Sequence, residues 1–276
     1  MFAKIGLAIT FSPTGKALLK EAVRLQKLFD SQLVLIHVGE KNSETEKLLD
    51  ETIENAGIYK NQLETIWEQG DPANTIINCS KDAKIDLLVA GALEKESLVK
   101  YYRDSISRKI MRELQTSSLI LKNPSEQPVS FKKFCVSADY SPQCEKTISA
   151  AFHFALKENA EEFVIIKNFY VPGITLTIQE GGSPKEIDSM IEQLKNEEEE
   201  KMKLFVNELN LQGLDIKIVC IYGKEGWEDS NYARTNASDI FAVTSPEKKM
   251  RFLDRLFPHE IEYSFETLPT NLLIIK

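Results

Sequence analysis

Two stretches of this chain read alike, and any fold must accommodate both. Lys4–Thr10 is a short apolar run followed by Ser12-Pro13, and Lys133–Tyr140 is a second such run followed by Ser141-Pro142. In each, serine reads as a helix N-cap and proline as the first helical residue. The apolar run Leu33–Val38 is matched by Phe163–Ile166. Leu63–Glu68 with Gly70 is matched by Ile216–Ile221 with Gly223. Asp86-Leu-Leu-Val-Ala90 is matched by Asp239-Ile-Phe-Ala-Val243, and Thr116–Lys122 by Thr270–Lys276. A repeat of that order predicts two copies of one strand-and-helix plan. A chain of 276 residues is long enough for two domains.

Within the first copy, strand and helix signals alternate. Leu18, Ala22, Leu25 and Phe29 recur at helical spacing. Ser43 with Glu46 fits a capping box ahead of Leu49, Ile53 and Ala56. Gly70-Asp71-Pro72 turns into a helix capped by Asp71, with Ala73, Ile76, Ile77 and Ser80 on its inner face. Asp86–Ala90 reads as the fourth strand and ends at Gly91. Ile106, Ile110 and Leu114 mark a fourth helix, and Ser118–Leu121 a fifth strand. Alternation of this kind predicts an α/β fold with a doubly wound, five-stranded parallel sheet in each copy. The copies are assigned to residues 1–122 and 131–276, joined by the polar, proline-bearing linker 123–130. The second copy is longer between Val171 and Glu186, where Gly173, Gly181 and Gly182 predict a loop. Ser183, Pro184 and Glu186 then open a helix, and its acidic run Asn196–Lys201 reads as a solvated stretch.

Several function classes are disfavoured. The net charge of −8 argues against a nucleic-acid partner and against an anionic membrane surface. No apolar run approaches the roughly 20 residues that span a bilayer. Met1–Ile5 reads as a strand rather than a leader, so a cytoplasmic protein is expected. Cys79, Cys135, Cys144 and Cys220 form no C-x-x-C pair, and Cys135 and Cys220 lie in strand-like runs as small buried hydrophobes. His37, His153 and His259 have no zinc-ligand spacing, and His37 reads as strand-end packing. Trp67 and Trp227 read as packing beside the third-strand turn. There is no G-x-S-x-G elbow and no Walker loop. Neither copy has a glycine-rich loop after its first strand, which argues against a Rossmann dehydrogenase.

The order of elements resembles the universal stress protein family. The residues that carry the likeness are Ser12-Pro13, His37-Val38, Gly70-Asp71-Pro72 and Asp86-Leu-Leu-Val-Ala-Gly91. Nucleotide-binding members of that family carry Gly-x2-Gly-x9-Gly-Ser/Thr after the fourth strand, where a helix N-terminus faces the phosphates. Here Gly91 keeps the first position, Glu94 and Asp104 replace the other two glycines, and Ser105 keeps the hydroxyl. The resemblance also implies an aspartate closing the first strand. Thr10 stands there in the first copy and Asp139 in the second. Val38 matches the position that offers backbone groups to adenine. In the second copy Thr244 aligns with Gly91, Glu247 with Glu94, and Phe257-Pro258 with Asp104-Ser105.

Two carboxylates beside a triphosphate are unfavourable. One such pair at about 5 Å costs roughly 3 kcal/mol at an effective dielectric near 20. Mg²⁺ would reverse the sign, because Glu94 and Asp104 offer hard oxygen ligands. Asp104 also reads as a simple helix cap, and Glu94 as a solvated loop carboxylate. Asp139 lies at the C-terminal edge of a parallel sheet, where α/β ligands bind. The reading that follows is a tandem, non-enzymatic stress or regulatory protein with degenerate nucleotide sites. One alternative is an ATP–Mg binder that uses the first copy. Another is a module for a different small ligand, lipid-like or apolar, in the second copy under the Val171–Pro184 loop. The family's strand order puts the last strand of each copy at a sheet edge. The two are therefore expected to pair antiparallel as an intramolecular pseudo-dimer, with a further homodimer as an extension.

Overall fold

The computed structural model describes residues 1–92, 106–171, 183–223, 227–245 and 268–276. The first half contains β1 (Lys4–Ala8), α1 (Pro13–Phe29), β2 (Gln32–Val38), α2 (Ser43–Asn55), a short 3-10 turn (Lys60–Gln62), β3 (Leu63–Glu68), α3 (Pro72–Asp82), β4 (Leu87–Gly91), α4 (Ile106–Glu113) and β5 (Ser117–Leu121). The second contains β6 (Lys133–Ser137), α5 (Pro142–Glu158), β7 (Glu162–Phe169), α6 (Pro184–Glu208), β8 (Ile216–Tyr222), α7 (Trp227–Thr235), β9 (Ile240–Thr244) and β10 (Asn271–Ile275). The strands form one ten-stranded sheet in the order β3-β2-β1-β4-β5-β10-β9-β6-β7-β8. All neighbours are parallel except β5 and β10, which run antiparallel with Ile120 opposite Leu272 and Ser118 opposite Ile274. The Asn271 side-chain oxygen caps this junction by accepting from the Lys122 N–H at 2.8 Å. Each half thus turns its last strand inward, and β3 and β8 are left as the outer edges.

The same local chemistry builds both halves. Ser12 Oγ accepts from the Gly15 N–H and Ser141 Oγ from the Cys144 N–H, each at 3.2 Å, with proline next in sequence. α1 and α5 both end on a left-handed residue, Asp30 (φ 54°) and Asn159 (φ 50°). These side chains tolerate that conformation better than branched ones. At the opposite end of the sheet, Asp86 Oδ2 accepts from the Ala3 and Lys4 N–H groups, both at 2.9 Å. Asp239 Oδ2 repeats the contact with Lys132 (2.6 Å) and Lys133 (2.9 Å). These aspartates precede β4 and β9 rather than belonging to them.

Several further boundaries differ from the sequence pattern, three of them for a visible reason. β1 stops at Ala8 rather than Thr10, because the chain turns there to bring the Thr10 hydroxyl within 2.9 Å of Ser12 Oγ. β6 stops at Ser137 rather than Tyr140 for the matching reason, since Asp139 closes a turn on Ser141. α2 is capped by Asn42, not Ser43. Asn42 Oδ1 accepts from the Glu44 and Thr45 N–H groups, and Thr45 Oγ1 accepts from the Asn42 N–H. Asn42 reaches both free donors and Thr45 completes the box, so Ser43 is simply the first helical residue.

The sheet buries two unlike faces. On the face of α1, α2, α5 and α6, one apolar cluster runs through both halves. Phe29 and Phe154 meet there at 5.0 Å between ring centres. The other face holds two separate clusters, one around Ile36, Ile76 and Leu88, the other around Ile166, Phe241 and Leu272. Between α1 and α5 the Arg24 guanidinium binds Glu158 at 2.6 and 2.8 Å and Glu21 at 2.7 Å, with the Phe131 ring 4.9 Å from its centre. Burial raises the Glu21 pKa despite that contact.

Candidate functional site

The C-terminal ends of the strands carry the residues singled out from sequence. Val38 and Gly91 end β2 and β4 of the first half, and Thr10 lies two residues beyond the end of their neighbour β1. Asp139 and Thr244 follow or end β6 and β9 of the second. Glu94, Asp104 and Ser105 lie outside the described residues, as do Glu247, Phe257 and Pro258 and most of the Val171–Pro184 segment. Gly91 is fitted to Leu18: a side-chain carbon there would come within 2.8 Å of Leu18 Cδ1. Gly15 is required for a similar reason, since a Cβ would overlap the Thr10 carbonyl oxygen.

The second half answers each of these positions differently. Thr244 stands where Gly91 does and Thr147 where Leu18 does, and Thr244 Oγ1 donates to Thr147 Oγ1 at 2.9 Å. Cys144 replaces Gly15, and its sulfur accepts from the Asp139 N–H at 3.3 Å. Asp139 is exposed, and its carboxylate accepts from the Ser141 N–H at 2.7 Å. That bond holds Asp139 at the turn into α5. Burial pushes the Cys144 and Cys220 thiols up to about 12, so neither is a thiolate nucleophile at neutral pH.

Beside these residues, the α1–α2 face of the first half holds an aromatic trio. Phe11 lies 4.4 Å from His37, and His37 lies 4.6 Å from Trp67. His37 Nδ1 is 3.1 Å from the Ile9 carbonyl, and Trp67 Nε1 donates to the Gly39 carbonyl at 3.0 Å. Both rings are therefore packing residues, as their sequence setting suggests. The equivalent positions in the second half are Tyr140, Lys167 and Cys220. Lys167 Nζ lies 5.5 Å over the Tyr140 ring, and Tyr140 OH donates to Glu198 Oε1 at 2.7 Å, tying α6 to the sheet. Burial first, and then the Glu198 carboxylate, raise the Tyr140 pKa.

The opposite face differs more, and sequence reasoning missed it. The strand registers place Ser137 where Ala8 stands and Asn168 where Val38 stands. Asp229 stands as far beyond Gly223 as Ile76 stands beyond Gly70. Ala8, Val38 and Ile76 belong to the apolar cluster of the first half. In the second half the Ser137 hydroxyl donates to Asp229, which is only 4% exposed. Asn168 is 7% exposed, and among the described residues neither Nδ2 nor Oδ1 of its amide has a hydrogen-bond partner. Burying a polar group in that condition costs about 1–3 kcal/mol. The signal was present in the repeat: three apolar positions of one copy are polar in the other.

Comparison with known proteins follows the same division. Residues 1–122 match the universal stress protein family. A curated member of that family, universal stress protein YxiE of Bacillus subtilis, is 28% identical and aligns with 40% of this chain and 92% of its own. Among solved structures, a universal stress protein from Archaeoglobus fulgidus superposes with a TM-score of 0.61 at 15% identity, covering 99% of this chain and 96% of that one. A functionally unknown protein from Pseudomonas aeruginosa gives 0.67 at 17% identity, covering 100% and 92%. These full-length matches show that the universal stress protein fold extends over both halves. Among the described residues no cluster of acidic, histidine or cysteine groups is arranged to hold a metal ion. No described helix is long and apolar enough to cross a membrane.

Proposed function

We propose that the chain is a tandem universal stress protein, residues 1–122 and 131–276, that acts as a non-enzymatic regulatory protein rather than as an ATPase. The observation that carries this is the state of the strand ends. The second half has Thr244 paired with Thr147 where the first has Gly91, and its Asp139 carboxylate is bonded into a turn. In the first half Glu94 and Asp104 occupy two positions where a phosphate cradle needs glycine. The antiparallel β5–β10 join supports an intramolecular pseudo-dimer, since it supplies each half's last strand with a partner. Calorimetric titration with ATP, with and without Mg²⁺, tests the reading. No binding in the micromolar range without metal and no release of phosphate are expected. Micromolar binding in metal-free buffer, or steady turnover, overturns it.

A second reading is favoured by the retained Gly91. The first half would bind ATP with Mg²⁺, the metal offsetting Glu94 and Asp104. Strictly Mg²⁺-dependent binding that is lost in Gly91→Thr selects this reading over the first.

A further inference from the structure

We propose that Ser137, Asn168 and Asp229 form a binding site in the second half for a small amide-bearing molecule, a carboxamide or lactam. The three residues share one face of the sheet. Ser137 ends β6, and its partner on β7 is Ile166. Asn168 lies two positions further along β7, on the same face. Asp229 comes from α7, which packs over β7 and β9, and its carboxylate accepts the Ser137 hydroxyl. The cluster sits at the C-terminal ends of parallel strands, where α/β sheets receive ligands.

The fold does not require polar groups here. The first half has the same strand registers and closes this position with Ala8, Val38 and Ile76 in an apolar core. The second half instead keeps an amide that is 93% buried, counting from its 7% exposure, with donor and acceptor both unmatched. An Asn amide presents an N–H donor beside a carbonyl acceptor, and another amide is its complement, satisfying both with two parallel bonds. The Ser137 hydroxyl donates its hydrogen bond to Asp229, which leaves its oxygen free to accept from a ligand N–H. A phosphate or carboxylate offers oxygen acceptors but not the adjacent donor and acceptor that the Asn168 amide calls for. The site therefore selects against the anionic part of a nucleotide, and the inference does not depend on whether the first half binds ATP.

The test is a titration of the ¹⁵N-labelled full chain followed by NMR. The Asn168 side-chain signals are assigned by their loss in Asn168→Val, which installs the first half's own residue. Nicotinamide and uracil are the probes, and inorganic phosphate is the control. Saturable shifts of the Asn168 amide pair with a dissociation constant on the order of 1 mM or tighter are expected. Asn168→Val should weaken binding at least tenfold, and Ser137→Ala should weaken it less. Phosphate should leave the signals unmoved. The inference is overturned if neither amide probe moves the Asn168 pair, which would leave an ordered water as its partner. It is also overturned if binding survives Asn168→Val, or if phosphate alone saturates the site. If Asn168→Val fails to fold, triple-resonance assignment of the ¹³C,¹⁵N-labelled wild type identifies the Asn168 pair, and the wild-type titration decides the matter.

Discussion

The two halves share a backbone plan but finish their strands in different chemistry. On one face the first half packs Phe11, His37 and Trp67, where the second sets Tyr140, Lys167 and Cys220. On the other face Ala8, Val38 and Ile76 are replaced by Ser137, Asn168 and Asp229. Below the strand ends the copies stay alike, down to Asp86 and Asp239 accepting the same pair of N–H groups. Scaffold and strand end are thus under separate constraints. A parallel sheet with both faces covered demands continuous apolar strands, and this holds for each copy independently. The strand ends carry no such demand and can diverge without disturbing the sheet.

The largest expected effect tests whether the copies stand apart at all. Ile274 is 2% exposed in β10 and sits opposite Ser118 of β5. Ile274→Asp buries a charge in the central strand pair and should cost about 4 kcal/mol or more. A lower melting temperature with a larger radius of gyration in small-angle scattering is expected. If both stay unchanged, the halves are held together by another surface.

The contact between α1 and α5 is one-sided, which offers a second way to separate the copies. Arg24 reaches Glu158, whereas the equivalent positions in the repeat are His153 and Phe29. Glu158→Ala should cost about 2 kcal/mol, because the partly buried Arg24 then keeps Glu21 as its one carboxylate among the described residues. His153→Ala, at an exposed position, should change stability by less than about 0.5 kcal/mol. Chemical denaturation of both variants checks the ratio.

The nucleotide question sharpens the comparison from the first half. Glu94→Gly with Asp104→Gly should raise ATP affinity about tenfold or more, roughly 1.4 kcal/mol. Calorimetry on the double variant that shows no gain would mean the cradle is blocked elsewhere.

A smaller effect probes the fitted pair beneath the strand ends. Gly91→Thr should cost about 1 kcal/mol through its collision with the movable end of Leu18. Adding Leu18→Thr reproduces the Thr147–Thr244 pair of the second half and should recover part of that loss. A double-mutant cycle with no coupling would show that the two ends do not use this contact alternately.

The smallest effect depends on pH. Burial raises the Glu21 pKa, so the folded value lies above the unfolded one. Its ionised form therefore lowers stability above the folded pKa, and that cost disappears as pH falls through the raised value. Relative to Glu21→Gln, the wild type should gain stability as pH drops from neutral into the range just above the ordinary glutamate value. Melting curves for the pair across that range measure the difference, expected to be within about 1 kcal/mol given partial exposure of the cluster.

The repeat, the element order and most caps were legible in the sequence, because each rests on local chemistry. Serine followed by proline starts a helix wherever it occurs, and an unbroken apolar run reads as a covered parallel strand. Asn42 was passed over because Ser43 beside it carries the same cap signal, and only the backbone decides which oxygen reaches two free N–H groups. Thr10, Val38, Gly91, Asp139 and Thr244 were placed at or just beyond strand ends by the apolar runs before them and by the family resemblance. What their side chains do there could not be read. Asp139 looks like a ligand group in sequence and is bonded to the Ser141 N–H in space.

By itself the sequence determined a repeated, alternating strand-and-helix plan and the approximate course of its strands. The tertiary structure decided which side chains meet. Ser137, Asn168 and Asp229 come from β6, β7 and α7 and are separated along the chain by whole elements. Their common face depends on a period-two alternation, which a shift of one residue would reverse. Sequence separation carries no information about such a meeting. It arises because strand register and helix packing bring distant residues to one end of one sheet, where the Asn168 amide is enclosed with no hydrogen-bond partner among the described residues.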